Sequence, residues 1–96
     1  MAGAAQRVRH DPTHSRFTIA LDGDVAILAY RSLDSATLEY YHTFVPAAQR
    51  GVGVASELAA FALRYASDRH LKVVPTCPFV AAYVDRHPEF ESVLAR

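Results

Sequence analysis

Phe44-Val45-Pro46-Ala47-Ala48-Gln49-Arg50-Gly51-Val52-Gly53-Val54-Ala55 is the stretch on which the fold turns. Upstream, Thr37 to Val45 is rich in β-branched and aromatic residues and stops at Pro46, which has no ladder donor; it reads as a strand. Downstream, Val54, Leu58, Phe61 and Tyr65 recur at helical spacing, with Ala55, Ala59, Ala62 and Ala66 beside them. That is a broad apolar stripe on a helix. Between the two lies a bend with glycines at 51 and 53. Glycine lets a backbone approach a ligand closely, and the free N–H groups of a first helical turn, with the positive end of the helix dipole, suit phosphate oxygens. The alternative is a helix start that is merely glycine-rich. A Walker loop requires Gly-Lys-Ser/Thr and a Rossmann fingerprint a third glycine, and the chain has neither.

Reading outward, Phe17, Ile19 and Leu21 alternate with Arg16, Thr18 and Ala20, a half-buried strand. Asp22-Gly23 makes the hairpin turn, and Val25 to Tyr30 returns as a continuous apolar run, expected inside the sheet and buried on both faces. A polar connection, Arg31 to Ser35, leads to Thr37. After the central helix, Asp68-Arg69-His70 ends it, Leu71 to Val74 forms a short strand closed by Pro75, and Pro78 to Arg86 forms a second helix. His87-Pro88 breaks that helix before a last segment, Glu89 to Leu94. Strand, helix, strand predicts a parallel crossover. The expected fold class is α+β: an antiparallel meander extended by a parallel βαβ unit.

The 96 residues, 51% hydrophobic and 21% charged, suit one small domain. Residues 16–96 are assigned to it and 1–15 to a flexible or edge-paired lead-in. Ten Lys plus Arg balance ten Asp plus Glu, so no overall field draws the chain to nucleic acid or an anionic membrane. No apolar run approaches bilayer-spanning length and Met1 to Asp11 lacks an apolar signal core, so a cytosolic protein is expected. The single cysteine, Cys77, excludes an internal disulfide and a multi-thiolate zinc site. His42, Cys77 and His87 have no recognisable metal-ligand spacing, and no metal is expected. Nothing in the patterning specifies an oligomeric state.

Cys77 precedes Pro78, near the start of a helix, where the positive helix end favours thiolate; against this stands the ordinary role of a free cysteine as a small buried hydrophobe. Alternation places Leu38, Tyr40, His42 and Phe44 on one strand face and Glu39, Tyr41, Thr43 and Val45 on the other. His42 is a candidate base or a hydrogen-bonded histidine among apolar groups. Glu39 is a base acting through water or a solvated carboxylate, and Tyr83 packs with Phe79 and Val80 on one side of its helix.

Arg50, Gly53 and Ala55 after Phe44-Val45-Pro46 resemble the coenzyme motif Arg/Gln-x-x-Gly-x-Gly/Ala of the GNAT superfamily of acetyl-CoA-dependent N-acetyltransferases. His42 to Pro46, Val74 to Val80, Tyr83 and Arg86 to Glu89 look like its minimal GNAT-like subfamily, the resemblance covering about Arg16 to Leu94. It implies acetyl-CoA as coenzyme, held at the pyrophosphate by Arg50, Gly51, Val52, Gly53, Val54 and Ala55 and at the thioester by main-chain groups near Phe44 and Val45. Two parallel strands, Thr37 to Val45 and Leu71 to Thr76, would splay around it. It also implies Cys77 as the catalytic residue, with acetyl-Cys77 a reasonable intermediate. The helix pair that usually covers the acceptor side is missing. An open surface suits an amine on a protein or peptide, a lysine or an N-terminus, better than a small enclosed molecule. The other function class is a module that binds CoA, acyl-CoA or a partner with little catalysis.

Overall fold

A computed structural model describes residues 7–95. The lead-in assigned to 1–15 thus lies partly outside the described residues. Five strands form one mixed sheet in chain order: β1 (Arg9–Asp11), β2 (Arg16–Leu21), β3 (Asp24–Asp34), β4 (Thr37–Phe44) and β5 (Lys72–Val74). The first four are antiparallel neighbours, whereas β5 runs parallel to β4 after helix α1 (Val54–Asp68). Helix α2 (Pro78–Arg86) and a 3-10 segment (Pro88–Val93) complete the chain, and Leu94 bridges back to Val73. This is the α+β architecture expected from the change of period.

The core lies between the sheet and the helices. Phe17, Ile19, Leu28 and Tyr40 from the strands meet Leu58, Leu63, Val80 and Val84 from α1 and α2, all fully buried. The buried Tyr40 hydroxyl donates to the Ala62 carbonyl at 2.6 Å, fastening β4 to α1. Burial also pushes the Tyr40 pKa well up, so this group stays a neutral donor.

Two expectations about β3 are corrected. Arg31 to Asp34 is strand rather than connection, because Arg31, Ser32 and Asp34 remain paired with Glu39, Leu38 and Thr37 although all are exposed. Backbone pairing, not burial, holds these residues extended, and the turn falls at Ser35-Ala36, where Asp34 Oδ1 accepts the Ala36 N–H at 2.8 Å. Nor is the strand equally buried on both faces. Ala26, Leu28 and Tyr30 sit in the core, but Val25 and Ile27 on the opposite face stay partly exposed because no helix among the described residues covers them. The continuous apolar run reflects a position third of five strands.

The end of α1 is closed by two bonds, His70 N–H to Ser67 O at 3.1 Å and Leu71 N–H to Ala66 O at 2.8 Å, with His70 in the left-handed region at φ 58°. A side chain there costs roughly 1 to 2 kcal/mol. His70→Gly is therefore expected to stabilise the fold by about 1 kcal/mol, raising the thermal midpoint by about 4 to 8 °C in a domain this size. An unchanged or lower midpoint in a thermal melt would contradict this reading of the helix end.

At the sheet edge, His10 stacks on Phe17 (4.8 Å between centroids), meets the edge of Tyr65 (4.5 Å) and shares a 2.7 Å hydrogen bond with the Tyr30 hydroxyl. Burial, and secondarily the Arg69 charge, lower its pKa below the ordinary imidazole value of 6.5. In acid the unfolded chain then binds a proton more readily than the fold, so stability falls as pH drops from about 6.5 through the folded-state value. Thermal midpoints measured from pH 8 to pH 5 should fall less steeply in His10→Phe than in the wild type; parallel curves would show that His10 does not carry the effect.

Candidate coenzyme site

The β4–β5 ladder is short. It pairs Thr37 with Lys72, Leu38 with Val73 and Glu39 with Val74, and there it stops. Pro75 ends β5 by lacking a donor, and the Cys77 N–H closes the notch by donating to the Tyr40 carbonyl at 2.9 Å. Beyond this point β4 continues to Phe44 with no strand among the described residues beside its β5 edge. The gap opens into a cavity of about 440 Å³, within the usual range for small-molecule sites.

Phe44 and Val45 form one wall of the cavity, and Arg50, Gly51, Gly53, Val54 and Ala55 another. Val52 is outside it, turned to solvent and 68% exposed. Gly51 and Gly53 have φ of +84° and +85°, and a Cβ on either would meet nothing within 4 Å. Crowding within the chain therefore does not require glycine at either position. The positive φ does, and the bare backbone leaves the space in front of the bend open. Gly53 is the N-cap of α1, so the first-turn amides have no side-chain cap and stay on offer to an anion. Arg50 Nε donates to the Val45 carbonyl at 2.8 Å, drawing the bend against the end of β4.

A bulge decides which side chains face this space. Ala29 pairs with His42 but Tyr30 pairs with Tyr40, so Tyr41 is an extra residue in β4 and the alternation inverts after it. The expectation that His42 and Phe44 share a face with Leu38 and Tyr40 is thus corrected. Thr43, opposite the core residue Leu28, takes the helix-side face. His42 and Phe44 lie opposite Ala29 and Ile27 on the uncovered face, where His42 is exposed.

Cys77 is the N-cap of α2, followed by Pro78 in the first turn. The residue is 6% exposed and does not line the cavity. It stands directly behind a residue that does: Thr43 Oγ1 is 3.4 Å from Cys77 Sγ. The structure thus brings Cys77 to the cavity through Thr43 and leaves His42 on the other side of β4. Thr43, Gln49, Ser56 and Phe79 also line the cavity and were not identified from the sequence. A bulge-shifted alternation would have found Thr43; the alanine-rich helix pattern carried no signal for Ser56.

The other candidates are engaged elsewhere. Glu39 accepts from Arg31 Nε at 2.9 Å and from Thr76 Oγ1 at 2.6 Å, so both carboxylate oxygens are held. Tyr83 stacks on His87 at 4.1 Å, and burial raises its pKa. Among the described residues, no three His, Cys, Asp or Glu side chains are grouped to hold a metal ion, and no helix is long and apolar enough to cross a membrane.

Residues 16–93 match the GCN5-related N-acetyl-transferase family. The chain belongs to that family. It is 38% identical over 88 residues to Protein NATD1 of Homo sapiens, covering 90% of this chain and 78% of that one. Protein NATD1 of Xenopus tropicalis is 37% identical over 84 residues, covering 85% and 77%. The solution structure of a GCN5-like protein from Staphylococcus aureus superposes with a TM-score of 0.69 over 94% of this chain and 88% of its own, at 20% identity. That likeness establishes a shared fold with a GNAT-type protein.

Proposed function

We propose that the protein binds acetyl-CoA in the cavity between β4 and β5 and transfers its acetyl group to an amine. The observation that carries this reading is the convergence on one cavity of the uncapped first turn of α1, the bare bend at Gly51 and Gly53, and the free edge of β4. The first-turn amides receive the diphosphate, and the main chain near Phe44 and Val45 receives the thioester.

The route begins at Cys77. Its sulfur bonds to the acetyl carbonyl carbon, the bond from that carbon to the coenzyme's sulfur breaks, and the thiol proton goes to the departing sulfur. An amine nitrogen then bonds to the carbonyl carbon of acetyl-Cys77, its carbon–sulfur bond breaks, and the amine's proton returns to the cysteine. The position of Cys77 at a helix N-terminus, in contact with the Thr43 hydroxyl, supports this assignment. His42 is available as a base only from the uncovered sheet face. The proposed acceptor is a protein lysine or N-terminal amine, because no α-helix among the described residues precedes β4 to enclose a small-molecule acceptor. The proposed setting is the cytosol, where a lone thiol stays reduced.

A second reading rests on the burial of Cys77 behind Thr43. In it the amine attacks the thioester directly and Cys77 only packs. A module that binds acyl-CoA without transfer is the third. Calorimetric titration with acetyl-CoA, followed by intact-mass analysis of the same sample, separates them. Binding with an acetyl adduct supports the Cys77 route, binding without one favours direct transfer or the module, and no heat of binding overturns the proposal.

A further inference from the structure

Glu57 lies in the first turn of α1, the same turn whose amides face the cavity. A carboxylate there is at odds with an incoming diphosphate, because both compete for the positive helix end. At 1.5 Å of rise per residue, the Glu57 backbone is about 6 Å along the axis from Gly53. That backbone spacing is inside the screening length of about 8 to 10 Å at ordinary salt, so a diphosphate held by the first-turn amides would feel the Glu57 charge.

Arg7 meets this carboxylate from 50 residues away in the chain, with Nη2 at 2.7 Å from Oε1 and Nε at 3.1 Å from Oε2. The fork is two-pronged, a geometry only arginine offers. It is also held in place: Val8 is buried in the core and Arg9 to Asp11 pair with β2, so the ordering cost of Arg7 is largely met by its neighbours. We propose that Arg7 is the counter-ion of the coenzyme site, cancelling the Glu57 charge so that the first turn of α1 can accept phosphate. The N-terminal segment thereby sets coenzyme affinity from the far edge of the sheet. The hydrogen bond to Arg7 also holds the Glu57 carboxyl below its ordinary range, so that carboxyl is ionised at neutral pH.

The inference rests on the coenzyme reading above, and one set of titrations separates the two. The wild type, Arg7→Ala, Glu57→Gln and the double variant are titrated with coenzyme A at low and at high salt, with thermal melts as a control on folding. Arg7→Ala exposes a bare carboxylate and should weaken binding by about three- to ten-fold at low salt, and by less at high salt. Glu57→Gln should bind as well as the wild type or better. The double variant should recover near wild-type affinity. If it stays as weak as Arg7→Ala, Arg7 touches the ligand itself and the counter-ion role is overturned; unchanged affinity in Arg7→Ala overturns it as well. Coenzyme binding absent from the folded wild type overturns the coenzyme reading and this inference together.

Discussion

Cys77→Ala is expected to abolish the acetyl adduct in intact-mass spectra and to lower acetyl transfer to an amine at least about a hundred-fold, with coenzyme A affinity unchanged. The separation follows from geometry. Cys77 lies behind Thr43 and outside the cavity wall, so removing its sulfur takes nothing from the bend that holds the phosphates. The fold should survive, since a small buried residue is replaced by one slightly smaller, costing about 1 kcal/mol. Cys77→Ser sharpens the test: its hydroxyl can keep the contact with Thr43, yet oxygen there is a far weaker nucleophile than sulfur. Both variants should be folded, bind the coenzyme and transfer poorly. Full transfer activity in Cys77→Ala would remove the residue from the mechanism and favour direct attack by the amine.

Gly53→Ala should weaken coenzyme A binding about ten-fold or more, the scale of a lost charge-assisted hydrogen bond. It should also cost about 1 to 2 kcal/mol of stability, because φ at this position is +85°. Gly23 supplies the control. It lies in the β2–β3 hairpin at φ +77°, a Cβ there likewise meets nothing within 4 Å, and it does not line the cavity. Gly23→Ala should therefore cost similar stability with no loss of affinity. Equal losses of affinity in the two variants would mean that strain acts through global stability and that the bare backbone at Gly53 has no special part in binding.

What the sequence revealed was whatever one element determines alone. The period of two in Phe17, Ile19 and Leu21, the helical stripe through Val54, Leu58 and Phe61, and the stops at Pro46 and Pro75 are local, and they determined the order of strands and helices. The glycine bend was legible for the same reason. Features that depend on pairing between elements were not. The bulge at Tyr41 is a register mismatch between β3 and β4, with no signature in either strand, and it moved His42 to the uncovered face and Thr43 to the cavity. The extension of β3 through Arg31 to Asp34 was hidden because exposed polar residues carry no burial pattern. The Arg7–Glu57 fork joins residues 50 apart and could be seen only in three dimensions.

Amide-resolved NMR during a titration with coenzyme A reaches the premise shared by these expectations. The largest shifts should fall on the N–H groups of Gly51 to Ala55, with Phe44 and Val45 following as the thioester end settles, while the β2–β3 hairpin around Gly23 stays still. Saturating coenzyme that leaves the 51–55 amides unmoved, or that shifts only residues outside the cavity, would contradict the site.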